Sequence, residues 1–191
     1  MSTQGTIPFS QFPADFAKKA QRMAKAVDTH IPRALGEMLV DGFRDSFDMQ
    51  RFNDAGSQPW EQVKRRIPGS PWYGFALGTN NRMPMGARGG KGRPGSRGGR
   101  TNFSTRATTR SILLGKGSSN LRDSIYVHSA RAGRIVIASD QPHAEVHNEG
   151  KQARIFGRKT FKMPKRQFMG NSRHLLKVGS QLIEKEIKRI L

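Results

Sequence analysis

Cysteine is absent from this chain of 191 residues. That excludes a disulfide scaffold, a thiolate zinc site and a cysteine nucleophile, and leaves the redox compartment open. Apolar side chains are scarce as well, at 35% of the sequence with a mean hydropathy of -0.66. Much of the chain is therefore expected to be surface, loop or partner-covered. No run approaches the roughly 18 apolar residues of a membrane span. The opening MSTQGTIPFSQF has no basic stretch leading into an apolar one, so no secretory signal is expected and the chain reads as soluble and intracellular at synthesis. Acid is in short supply: 14 Asp and Glu stand against 34 Lys and Arg, a formal net charge of +20 with a pI near 11.4. Such a balance calls for a polyanionic partner, either nucleic acid or an acidic protein surface. The basicity is regional. Between Glu61 and Asp123 there is no acid but 13 Lys and Arg, and a second acid-free run spans Lys151 to Arg173.

What is present reads as two long helical ends around a short-stranded middle. Residues 13–29 place Phe16, Ala20, Met23 and Val27 on one helical face. Pro32 suits the first turn of a second helix with the stripe Leu35, Met38, Leu39, Gly42, Phe43 and Phe47, which the joint THIP makes a neighbour of the first. Both are expected to pack in the core. Pro59–Trp60 reads as a loop planting one large ring. LRDSIYVH alternates like a strand from Leu121, and GRIVIAS follows it after a turn, predicting an antiparallel hairpin. QPHAEVHNEG is a short helical turn closed by Gly150, and RIFGRKTFKMP a second hairpin around Gly157. The last segment is an amphipathic helix capped by Asn171 or Ser172, with Leu175, Val178, Leu182, Ile183, Ile187 and Ile190 as its stripe. The expected fold is a single α+β domain over 1–191, an antiparallel sheet packed against long N-terminal and C-terminal helices. Residues 1–12 form an N-terminal extension, and 67–110 a long basic Gly/Arg-rich insertion or arm.

That arm holds GARGGKGRPGSRGGR, with seven glycines, five cations and no carboxylate. Gly90 to Gly95 formally match G-x-G-x-x-G, but no strand precedes them and Pro94 bars a helix start, so a dinucleotide loop is excluded. A phosphate loop fails too, since Gly92 follows Lys91 where Ser or Thr is required. Two Arg-Gly-Gly triplets resemble RNA-binding tails, though only Phe103 stands near to stack on bases. The cations Arg82, Arg88, Lys91, Arg93, Arg97, Arg100, Arg106 and Arg110 are therefore candidates for contact with protein or DNA. His143 and His147 stand four apart with Glu145 and Glu149 nearby, a spacing that two zinc ligands on a helix would use. Ala144 occupies the place of the glutamate a zinc protease needs, so a structural role is expected instead. Asp140 and Glu145 are a nominal acid pair that no spacing supports. No active site, cofactor or metal is read here.

Taken in order, AGSQPWEQV, ILLGKGSSNLRDSIYV, RIVIASDQPHAEVHNEG and KMPKRQFMG, with the closing helix, resemble the virion morphogenesis (tail completion) family of Mu-like phages. Members typically show G-x-x-W, I-L-x-x-T-G-x-L-x-x-S-I, Y-A-x-x-H-x-x-G and P-x-R-x-F-L-G segments. These correspond to Gly56 through Trp60, Ile112 through Ile125, His143 through Gly150, and Pro164 through Gly170. The resemblance covers 35–191 apart from the insertion. It departs at His143, which replaces a tyrosine, at the longer GKGSSNL, and in the Gly/Arg arm.

The resemblance implies a structural, non-enzymatic protein of the neck or head-proximal tail. It would form a homo-oligomeric ring of six copies, or twelve, that joins the tail to the DNA-filled head. Its partners would be head-completion or adaptor proteins, the tail tube or terminator, and genomic DNA in the lumen, with no membrane. The motif residues Trp60, Leu121, Ser124, His147, Gly150, Pro164, Phe168 and Gly170 would maintain the fold, and His147, Asn148 and Gly150 read as a polar turn that caps backbone groups. The competing reading is a non-specific nucleic-acid-binding basic protein. Duplex DNA carries one charge per roughly 1.7 Å, so a ring about 40 Å tall encloses on the order of 24 phosphates. Six copies at +20 far exceed that, and acidic protein faces would have to take the remainder.

Overall fold

The computed structural model describes residues 12–74, 105–114, 121–155 and 159–190. Two helices meet end to end: α1 (Phe12–Lys25) runs through a π-turn (Ala26–His30) directly into α2 (Ile31–Met49). The sequence predicts a break at THIP, and here the structure differs. A proline lacks only its own N–H, and the chain passes Pro32 by widening: Ile31 N–H reaches five residues back to the Ala26 carbonyl. Thr29 Oγ1 donates to the Lys25 carbonyl at 2.7 Å. Because the helix continues past the body instead of folding back, the apolar face of α1 finds little to cover it. Phe16 remains 67% exposed and Val27 43% exposed. The expectation that α1 packs in the core is thereby corrected.

The body forms on α2. Its buried side chains Val40, Phe43 and Phe47 join Phe52, Trp60, Ile112, Leu121, Ile125, Phe168 and Leu175 in one cluster. At Gln50, φ 53, the helix ends in a left-handed residue. Two strands, β1 (Ile125–Arg131) and β2 (Arg134–Ser139), pair antiparallel and lie on α2. The strand predicted from Leu121 begins only at Ile125. Residues 121–124 are a turn, held by Ser124 Oγ donating to the Leu121 carbonyl at 2.7 Å. A register shift between Val127 and Ser129 bends the ladder further on.

After the short helix α4 (Ala144–Glu149), strands β3 (Gln152–Ile155) and β4 (Lys159–Lys162) form a second antiparallel pair. The predicted hairpin is present; the turn around Gly157 falls outside the described residues. One sheet becomes two small ones, because β3–β4 does not hydrogen-bond to β1–β2. The chain closes with α5 (Arg173–Ile190), packed along α2. Gly42 and Gly179 allow that approach: a Cβ at Gly42 would fall 2.4 Å from Leu175. Of the predicted α5 stripe, Leu175 is buried, while Val178, Leu182, Ile183, Ile187 and Ile190 are half-buried. Among the described residues no helix is long and apolar enough to cross a membrane. The architecture is mixed α+β: long N-terminal helix, two small antiparallel sheets, C-terminal helix.

Candidate functional site

The segments singled out by sequence converge on one ring, that of Phe47. Trp60 stands edge-on to it at 5.5 Å and Phe168 tilts against it at 5.0 Å, both measured between centroids. Such aromatic contacts add about 0.5–1.5 kcal/mol each beyond burial. The Trp60 indole N–H donates to the Gln167 carbonyl at 2.9 Å, and its backbone N–H to the Gln50 carbonyl at 2.8 Å. Pro59–Trp60 thus plants its ring as the sequence predicts. Leu121 and Phe168 are buried in the same cluster, and Ser124 shares a 2.6 Å hydrogen bond with Ser139.

The 164–170 segment has no regular structure between Pro164 and Gly170, so its backbone groups need outside partners. Asn148 supplies them: its Oδ1 accepts from Phe168 N–H and Met169 N–H, both at 2.9 Å. The polar turn read from HNEG therefore caps a distant segment. Arg166 N–H donates to the His147 carbonyl at 2.8 Å. The Arg166 guanidinium, itself buried, donates through Nε and Nη2 to the Glu61 carbonyl at 3.2 and 3.0 Å. Burial lowers its pKa despite the nearby Glu61 charge. Gly150 ends α4 at φ 72, and a Cβ there would meet the Lys165 backbone N at 3.0 Å. Only glycine suits both demands. A Cβ at Gly170, φ 151, would fall 2.5 Å from Nε2 of the Gln167 side chain.

Further hydrogen bonds tie these segments together. Ser46 Oγ accepts from Asn53 N–H at 3.0 Å and donates to the Phe168 carbonyl at 3.4 Å. Ser172 rather than Asn171 caps α5: its Oγ accepts from Leu175 N–H at 3.1 Å and donates to the Asn53 carbonyl at 2.6 Å. Asp54 accepts from His174 N–H at 3.1 Å, and this bond leads the effects that hold its carboxyl below the usual range.

His143 and His147 stand with ring centroids 5.7 Å apart. Burial first, then the charges at His143 and Arg166, push His147 down to about 4, so it is neutral at physiological pH. Its Nδ1 is buried with no hydrogen-bond partner among the described residues. Glu145 and Glu149 both turn to Lys151, the latter at 2.9 Å. Among the described residues no group of three His, Cys, Asp or Glu is placed to hold a metal.

The arm is held at its root. Arg65 donates to the carbonyls of Ala107, Arg110 and Ser111, each at 2.8 Å, and its own carbonyl accepts from Gly74 N–H at 2.8 Å. Burial, then repulsion from Arg110, lowers its pKa to about 10, still cationic at neutral pH. The two edges of the insertion thus start from one clamp. Arg110 is half-buried there with its Nε enclosed, and Arg106 lies in the short helix α3 (Thr105–Thr109). Arg82, Arg88, Lys91, Arg93, Arg97 and Arg100 lie outside the described residues. Sequence reasoning missed the clamp because an arginine in KRR reads as a solvated charge.

Comparison with family models, with curated proteins and with solved structures finds no match to this chain.

Proposed function

We propose that the chain is a structural virion protein of the tail-completion type. Copies assemble into a ring of six at the head-proximal end of the tail and join it to the DNA-filled head. The observation that supports this reading is the convergence on Phe47. Four motifs far apart in sequence supply Trp60, Leu121, Asn148 and Phe168 to one buried cluster and its backbone ties. Residues kept for packing and capping are what a structural protein needs, since its work is done by the surface its body presents. The exposed apolar face of α1 is such a surface. In this reading the 82–110 part of the insertion, rooted at the Arg65 clamp, orders on an adjacent ring or subunit, and some of its arginines face DNA.

The test is deletion of the gene from the phage that carries it, followed by electron microscopy. Separate heads and tails are expected, with joining restored by the purified protein, and a ring at the junction of complete particles. Normal particles without the protein would overturn the reading. The acid-free run from Glu61 to Asp123 favours a second reading, a non-specific nucleic-acid-binding protein. A steep loss of DNA affinity with salt, together with absence from particles, would select it.

A further inference from the structure

We propose that the β3–β4 hairpin is a docking element that lies on the acidic face of α2 in a second copy of this chain. The inference rests on the oligomeric reading above and assigns its interface. Among the described residues the hairpin pairs with no other strand and packs on no helix appreciably. Gln152, Arg154, Thr160, Phe161 and Lys162 are all exposed. An isolated two-stranded hairpin is marginal in water, so its fold needs a surface that its own chain does not provide.

The chemistry of that surface follows from the hairpin's charges. In the register Gln152↔Lys162 and Arg154↔Thr160, Arg154 and Lys162 share one face. Neither of these two, nor the exposed Lys165 further along the chain, forms an ion pair among the described residues. The complement lies on the same molecule. Glu37, Asp41, Asp45 and Asp48 recur at four- and three-residue steps along α2, all exposed. In a chain of net charge +20 this is a concentrated acidic surface. Carboxylates four residues apart on a helix repel one another. Arg33 and Arg122 relieve the ends of the row, Asp41 meets Arg44 only at 3.8 Å, and Asp45 forms no ion pair among the described residues.

Spacing agrees as well as sign. Arg154 and Lys162 are diagonal neighbours across the two strands, about 7–8 Å apart, and one helical turn separates successive carboxylates by about 6 Å. Among the described residues the hairpin makes no appreciable packing on α2 of its own chain, so the match is made between copies. A contact joining two different patches is heterologous, the kind that closes into rings.

The test is a charge swap on the full chain, read by sedimentation across a concentration series, with circular dichroism confirming the fold of each variant. R154E/K162E should raise the concentration needed for assembly at least tenfold, and D41K/D45K should do the same. The four changes together should restore assembly to within about threefold of wild type. Added salt should weaken the wild-type oligomer. Assembly indifferent to R154E/K162E overturns this interface and leaves the ring reading standing. Failure of the combined variant to restore assembly also overturns it. An unchanged oligomer that has lost DNA binding in R154E/K162E makes the hairpin a nucleic-acid contact instead. A wild-type chain that stays monomeric at every concentration removes both the interface and the ring.

Discussion

Two antiparallel hairpins, the longer β1–β2 and the shorter β3–β4, behave in opposite ways. The first lies on α2 and sends Ile125 fully into the core, and Arg44 Nη2 donates to the Ile125 carbonyl at 3.0 Å. The second leaves the body at Gly150 and presents Phe161 at 37% exposure. Strand pairing alone does not stabilise either. What separates them is burial, which α2 supplies for the first and which the proposed interface assigns to a second copy for the other. The same contrast runs along the N-terminal helix, whose α2 half is packed while its α1 half shows Phe16 to solvent.

The largest effect is expected where the first hairpin meets the core. Ile125→Ala should cost about 2–5 kcal/mol in denaturant unfolding, since it opens a cavity beside buried neighbours. The equivalent change on the second hairpin, Phe161→Ala, should alter monomer stability by less than about 0.5 kcal/mol. Equal losses would erase the distinction. Gly150→Ala tests the joint between body and hairpin. A left-handed alanine pressed against the Lys165 backbone should cost about 1–3 kcal/mol, read by the same unfolding curve. Trp60→Phe keeps most of the ring but orphans the Gln167 carbonyl, for about 1–2 kcal/mol.

A smaller, pH-dependent effect comes from His147. Its folded pKa, about 4, lies below the ordinary 6.5, so between those values the unfolded chain binds more protons. Stability from this group is present above pH 6.5, falls as pH drops toward 4, and levels off below that. His147→Gln should flatten this part of the stability–pH curve. An unchanged slope would place the titrating group elsewhere.

Much of this contrast is absent from the sequence. Periodicity located α5, both hairpins and the α4 turn, and the Pro–Trp pair announced a planted ring, because these signals are local. Periodicity at Phe16, Ala20, Met23 and Val27 also marked an apolar face, but a pattern names a face without naming what covers it. Pro32 signals a helix start, yet a π-turn accommodates it with no sequence signature. Leu121 to Ser124 alternate as a strand would, but the Ser124 hydroxyl closes a turn there. Arg65 and Arg166 are bound by backbone carbonyls from distant segments, a role that charge alone conceals. The resemblance drew attention to Trp60, Gly150 and Phe168 and the cap signal to Ser172, while Ser46 and Asn53, which help tie them together, carry no motif.

Hydrogen exchange followed residue by residue across a dilution series tests most directly whether the body is self-sufficient and the second hairpin is completed by another copy. The amides of Ile125–Arg131 and Arg134–Ser139 should be equally protected in dilute and assembled protein, while those of Gln152–Ile155 and Lys159–Lys162 should gain protection only on assembly. Strong protection of both hairpins in the dilute monomer, or none gained by the second in the oligomer, would contradict the account.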